Sequence, residues 1–385
     1  MKKINNKVTK IEPSKTLEID AKAKKLKASG AMVYNFSAGE PDLAPPEFIK
    51  ESLNKAFISG KTKYGATTGE ISLKNEICQK LKKDNGLSYK PENVAVTNGC
   101  KQALYNIFQC ILNEGDEVIV YSPYWVSYQA QIELAGGKIK IVKTDKNFEP
   151  DLEKTRKAIN NKTRAVIINS PNNPTGAVYS REKLQALAKL FIKKDIYVIT
   201  DDVYEKLVYG EKFYTIAQFM KKKKNKVIVV NGLSKSHALT GLRVGYIVAS
   251  SDIINLVNKI QSHQTGNVCI LAQAATEDAL KYGNDFIKKM AKVFEKRRDL
   301  VEKILSQNNK ISFIKSDGAF YFFINISKID QDSSRFCNKL LKDKKVAVVP
   351  GVAFGLDGYV RISFASSEKD LREGLEKFNE FCKNY

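Results

Sequence analysis

The chain has 385 residues, 43% of them hydrophobic, enough for roughly two domains with large cores. Its apolar runs are too short for a membrane span. Its six cysteines lack CxxC spacing, and its two histidines, His237 and His263, argue against a disulfide frame or multi-His metal centre. A formal charge of +22 would suit nucleic acid, but the lysines are spread along amphipathic helices and no DNA- or RNA-binding pattern accompanies them.

The polar N-terminus has no apolar segment behind it, so a cytoplasmic enzyme without membrane or nucleic-acid partners is expected. Helical periodicity runs over residues 15–29 and stops at Gly30. Residues 32–36 read as a short strand, followed by the loop SAGEPDLAPP (37–46). Helices are predicted over 46–59 and 71–84. From Asn93 onward, short apolar strands alternate with helices. VAVTNG precedes a helix from Lys101, and EVIVYSP one from Trp125. KIKIV and AVIINSP follow, then a helix from Arg181 and the strands IYVITDD, KVIVVNG and RVGYIVAS. The dense block Lys221–Lys224 reads as a solvated loop before a strand.

Strands separated by helices imply crossover units and an α/β fold, with a mainly parallel sheet flanked by helices on both faces. Ligands of such sheets bind beyond the carboxyl ends of the strands, where the polar motifs of this chain lie. A long helical region over 268–307 ends the alternation. Beyond it come strands at 311–314, 318–324, 346–349 and 359–365, with a helix between and an amphipathic helix last, a smaller α+β unit. The expected domains are a large one over 41–285 and a discontinuous small one of 1–40 with 286–385.

The most informative stretch is GLSKSHALTGLRVG, residues 232–245. A strand ends there in a Gly/Ser-rich turn that offers an amine, Lys235, with a guanidinium, Arg243, eight residues later. Such a turn sets a Schiff-base amine beside an anion clamp, as a phosphorylated aldehyde requires. In SPNNPTG (170–176) the following proline favours extended geometry at Asn173, which speaks against a mere turn former. Asp201, at a strand end, either caps a helix or pairs with a protonated pyridine nitrogen. Tyr204 shares its side if a helical turn begins there. Arg361 is a surface arginine on an edge strand or a planar fork for a carboxylate. Trp125, read alone, is a core aromatic.

Taken together, Asn173-Pro-Thr-Gly, Asp201-x-x-Tyr204, Lys235 and Arg243 resemble the class I, fold type I pyridoxal-phosphate aminotransferases. The resemblance runs from SAGEPD to YVRISFA. KTKYGATTGEISL, TNGCKQAL, SPYWVSY and GVAFGLDGYVRISFA resemble the aspartate aminotransferase branch of bacteria and archaea. The resemblance implies pyridoxal 5′-phosphate bound to Lys235, which also moves a proton between the substrate Cα and the cofactor. Asp201 would hold the pyridine nitrogen protonated, Asn173 and Tyr204 would donate to its phenolic oxygen, and Trp125 would stack on the ring.

The same resemblance rests the phosphate on Gly99, Cys100 and Lys101 at a helix N-terminus, with Arg243 and Ser234 beside it. It matches Tyr64 to a tyrosine that reaches the neighbouring subunit's phosphate, hence a homodimer. Some relatives carry a serine where Gly232 stands; Ser234 or Ser236 is then the substitute. Substrate would meet Arg361 and Gly39 at its α-carboxylate, Trp125 and Asn173 beside the reacting carbon, and Lys101, Ser14 and Thr16 at a distal carboxylate. The implied reaction is ping-pong transfer from an L-amino acid, foremost aspartate, to a 2-oxo acid, foremost 2-oxoglutarate. Prephenate or aromatic transamination, a C–S β-lyase of the same fold, and a regulatory nucleic-acid-binding relative are the alternatives.

Overall fold

The computed structural model describes residues 5–210 and 212–385. Its strands are β1 (Tyr34–Asn35), β2 (Val94–Thr97), β3 (Glu117–Ser122), β4 (Lys138–Lys143), β5 (Thr163–Asn169), β6 (Tyr197–Asp201) and β7 (Val227–Gly232). They continue as β8 (Gly245–Val248), β9 (Ser312–Phe313), β10 (Tyr321–Asn325), β11 (Val346–Ala347), β12 (Val349–Pro350) and β13 (Tyr359–Ser363). A seven-stranded sheet has the order β2-β8-β7-β6-β5-β3-β4. From β7 to β4 every pairing is parallel, while β8 is antiparallel to both neighbours. The reversal has a simple cause: the β7–β8 connection holds only the short 3-10 segment Thr240–Leu242, without the crossover helix that a parallel partner needs.

The central strands are apolar on both faces because helices cover both. On β5, Val166 and Ile168 enter one core, and Ala165 and Ile167 enter the core on the opposite face. The helices Gly99–Ile111, Ser127–Leu134, Arg181–Lys194 and Ser251–Gln264 follow sheet strands. The first begins two residues before the predicted Lys101. Gly99, at φ +75°, makes the turn out of β2 and leaves room for Arg243 Nη2, which an added Cβ would meet at 2.8 Å. The second begins at Ser127 rather than Trp125, because the Tyr124 N–H is held by the Phe354 carbonyl at 3.0 Å. Helices Leu152–Ala158 and Ser251–Gln264 are additions to the predicted set.

The region predicted as one helical stretch is two helices, Ile270–Tyr282 and Asn284–Leu305, broken at Gly283. A Cβ on Gly283 would lie 2.5 Å from His237 Nε2, so the imidazole occupies the space a side chain would need. The basic block is not simply solvated: it forms 3-10 turns over Lys221–Lys226. Lys223 pairs with Asp195 at 2.9 Å, and Lys224 Nζ sits 4.0 Å over the Tyr89 ring.

An antiparallel sheet of order β12-β13-β10-β9 forms the C-terminal unit. The predicted strand 346–349 is split there, since β11 pairs with β1 and β12 with β13. The parallel β1–β11 pair ties the N-terminal arm to this unit, and Phe36 packs in one core with Phe294, Phe320, Phe322 and Phe378. No helix among the described residues is long and apolar enough to cross a membrane.

Candidate active site

A cavity of about 480 Å³ opens at the carboxyl ends of β5, β6 and β7. Its far wall comes from the N-terminal loop Ser37–Glu40 and from Tyr321 and Arg361 of the antiparallel sheet. Residues predicted from distant motifs therefore meet in one place.

Asp201 ends β6 and is buried. Tyr128 donates to its Oδ2 at 2.7 Å, whereas Oδ1 has no hydrogen-bond partner among the described residues. Burial raises its pKa to about 6 against the opposing pull of the Tyr128 hydroxyl and the Val203 N–H. The carboxylate borders the cavity, so the helix-cap reading is set aside. The chain then turns, with the Glu205 N–H held by the Asp202 carbonyl at 2.9 Å and the Leu207 N–H by that of Tyr204 at 2.8 Å. This turn puts Tyr204 on the cavity side with Asp201. Beneath it, Glu205 forms a buried ion pair with Lys80 and accepts from Asn85 at 2.9 Å, anchoring the turn from below.

Lys235 follows β7, and its Nζ donates to the Gly39 carbonyl at 2.6 Å. Burial draws its pKa down to about 8, so a neutral amine is accessible near physiological pH. Gly232 admits no serine without rearrangement. An added Cβ would lie 2.9 Å from the Val244 carbonyl oxygen, 3.0 Å from Gly245 Cα and 3.2 Å from Cys100 Sγ. Of the two substitutes, Ser234 borders the cavity, whereas Ser236 is buried and bonded to His237 Nδ1 at 2.9 Å.

Arg243 closes one end of the cavity, its Nη1 donating to the Thr240 carbonyl at 3.0 Å and its Nη2 to that of Asn98 at 3.4 Å. Beside it, Cys100 and Lys101 occupy the first turn of Gly99–Ile111, where backbone N–H groups favour an anion. Trp125 is a wall of the cavity rather than a core aromatic, edge-on to Tyr128 with Lys101 Nζ 5.3 Å from its ring centroid. Burial and the neighbouring Arg243 push the Lys101 pKa down.

Arg361 lies on β13, between β12 and β10, and is only 2% exposed, so it is no edge-strand surface arginine. Its Nη1 donates to Asn173 Oδ1 at 3.0 Å and its Nη2 to the Ser37 carbonyl at 2.7 Å. Its Nε has no partner among the described residues. Asn173 is held in turn by its own N–H, which donates to Asn169 Oδ1 at 3.0 Å. Ser14 and Thr16 line the rim with their hydroxyls 2.8 Å apart.

Two predicted residues stand outside the cavity lining. Gly99 lies behind Arg243, and Tyr64 is 98% exposed. Sequence reasoning passed over Tyr128, Asn169 and Tyr321, which touch Asp201, Asn173 and Tyr204. Their only signal was position: Tyr128 stands three residues after Trp125 in SPYWVSY, and Tyr321 in the aromatic run GAFYFF. The donor set suits the pyridoxal phosphate that the resemblance implies. A buried carboxylate oxygen lacking a donor matches a pyridinium N–H, and an arginine beside a helix N-terminus matches a phosphate.

The chain is similar to known proteins over nearly all of its length. The model of the family "aminotransferase class I and II" matches residues 31–378. The aspartate aminotransferase of Thermotoga maritima is 42% identical, over 98% of this chain and 99% of that protein. The aspartate/prephenate aminotransferase of Thermus thermophilus is 39% identical, over 98% of each. The solved structure of the Thermus thermophilus aspartate aminotransferase with maleate has a TM-score of 0.96 at 39% identity, covering 99% of this chain and 100% of that one. Matched by the family model and, over nearly its whole length, by relatives and a solved structure, this chain belongs to the class I and II aminotransferases.

Proposed function

We propose that this aminotransferase uses pyridoxal 5′-phosphate to move the amino group of L-aspartate to 2-oxoglutarate. One observation carries the reading: a single cavity presents a lysine amine drawn down to about 8, together with a buried carboxylate oxygen and a buried arginine Nε that have no hydrogen-bond partner among the described residues. When bound, the cofactor supplies an aldehyde that takes up the amino group and a ring that accepts the electron pair released at Cα.

The chain's own residues do the rest. Asp201 Oδ1 holds a proton on the ring nitrogen, favoured because the buried carboxylate gains an opposite charge. Asn173 has its Oδ1 engaged by Arg361, which leaves its amide N–H groups, with the Tyr204 hydroxyl, to donate to the phenolic oxygen. Arg243, Ser234 and the first N–H groups of Gly99–Ile111 hold the phosphate. Trp125 excludes water from one ring face. Arg361 fixes the α-carboxylate, and Lys235 Nζ removes the Cα proton from the face it occupies. Lys101, Ser14 and Thr16 receive the distal carboxylate, a choice supported by two relatives named aspartate aminotransferase at 42% and 40% identity.

The two bodies bounding the cavity are proposed as domains of residues 41–285 and of 1–40 with 286–385. Tyr64, exposed in the single chain, is assigned to the phosphate of a second copy in a homodimer. A second reading, transfer to prephenate, is favoured by the relative from Thermus thermophilus named aspartate/prephenate aminotransferase. The deciding experiment is the absorbance spectrum of the purified protein, followed by titration with amino acids. Aspartate and glutamate should convert the Lys235-bound form to the aminated cofactor, and 2-oxoglutarate should reverse the change. No response to either dicarboxylic amino acid would refute the substrate assignment.

A further inference from the structure

Tyr321 is buried, begins β10 and borders the cavity. Its hydroxyl lies 2.8 Å from that of Tyr204, a residue 117 positions away. Its ring stacks on Arg361, with Cζ 4.4 Å from the ring centroid. A Cβ on Gly39 would lie 3.4 Å from the Tyr321 hydroxyl oxygen, and the Gly39 carbonyl accepts from Lys235 Nζ at 2.6 Å. One side chain thus adjoins the turn carrying Tyr204, the carboxylate-binding arginine and the loop that holds the reactive amine.

Either phenol can donate in the Tyr204–Tyr321 pair. Once Tyr204 gives its proton to a ligand oxygen, its own oxygen is left to accept from Tyr321. A donor that is itself accepting is polarised and donates more strongly. Burial raises the pKa of both phenols, which keeps each protonated as a donor. The ring acts separately: stacked on the guanidinium, it fixes the plane in which Arg361 meets a carboxylate.

We propose that Tyr321 is a positioning residue with two separable parts, a hydroxyl that directs the Tyr204 proton toward the cofactor's phenolic oxygen and a ring that fixes the orientation of the Arg361 guanidinium plane for the α-carboxylate. The first part rests on the pyridoxal phosphate reading above, and the second on the assignment of Arg361 to the α-carboxylate.

Tyr321→Phe removes the hydroxyl and keeps the ring. Donation to the phenolic oxygen stabilises its deprotonated form, so weaker donation raises the proton affinity of the cofactor-bound Lys235 nitrogen. In the holoenzyme, the midpoint of the absorbance titration should rise by about 0.5–1 pH unit, the equivalent of one neutral hydrogen bond. Maleate, a dicarboxylate probe, should bind within about twofold of the parent, since the cation–π face is intact. Tyr321→Leu removes the ring as well and should weaken maleate about three- to tenfold. Tyr204→Phe serves as the reference, because it removes the direct donor and should move the midpoint at least as far.

The hydroxyl's role is overturned if Tyr321→Phe titrates at the parent midpoint while Tyr204→Phe shifts it. The ring's role is overturned if the Phe and Leu variants weaken maleate equally. Should the parent show no titrating cofactor band, and Tyr204→Phe change nothing either, the cofactor reading fails and the hydroxyl's role with it.

Discussion

Arg361→Lys keeps the charge and removes the fork. In the parent, two guanidinium donors are engaged by Asn173 Oδ1 at 3.0 Å and the Ser37 carbonyl at 2.7 Å, and the residue borders the cavity. An ammonium cannot serve both acceptors and still present two parallel donors to a carboxylate. Each hydrogen bond involving a charged group is worth about 1.5–3 kcal/mol. Loss of one such bond to substrate, with weaker orientation of the other, removes about 2–4 kcal/mol of transition-state stabilisation. That corresponds to a fall of roughly 30- to 1000-fold in kcat/KM. The assay is steady-state transamination of aspartate with 2-oxoglutarate, with the thermal midpoint as a check on folding. A variant whose kcat/KM stays within about twofold of the parent would refute bidentate capture by this residue.

Three further outcomes follow from the same geometry. Lys235→Ala should reduce turnover by about 10³-fold or more while keeping the parent's far-ultraviolet circular dichroism spectrum; parent-like turnover would remove it from the chemistry. Asp201 has its pKa raised by burial from 3.8 to about 6. The folded state therefore binds this proton more tightly than the unfolded state, and stability falls as pH rises through that window. The cost reaches roughly 3 kcal/mol above pH 6. Urea melts of cofactor-free Asp201→Asn between pH 4 and about pH 7 should show that part of the slope removed; an identical slope would contradict the assignment. Gly232→Ser should lower stability by about 1–3 kcal/mol, because its Cβ would lie 2.9 Å from the Val244 carbonyl oxygen. An unchanged urea midpoint would mean that the strand shifts freely to admit it.

Much of the architecture was legible in one dimension. Strand–helix alternation reports a parallel sheet because each crossover needs a helix to span it, and apolar runs such as AVIIN report burial on both faces. Lys235, Asp201 and Asn173 could be picked out because the short motifs that carry them at strand ends resemble those of the class I aminotransferases. Local chemistry of that kind is carried by neighbours in the chain.

Other features depend on contacts between distant segments. Tyr128 reaches Asp201 across 73 residues, Tyr321 reaches Tyr204 across 117, and Arg361 reaches Asn173 across 188. The break at Gly283 reflects an imidazole from another loop, and the reversal of β8 reflects how little chain joins it to β7. The sequence by itself indicated most of the elements and the candidate groups of the site, since propensity, periodicity and motif chemistry act within a few residues. Tertiary structure alone decided which carboxylate oxygen is left without a donor among the described residues, which serine faces the cavity and which tyrosine supports another. Those outcomes depend on packing all the elements into one volume, where burial removes water and each polar atom must find its partner in space.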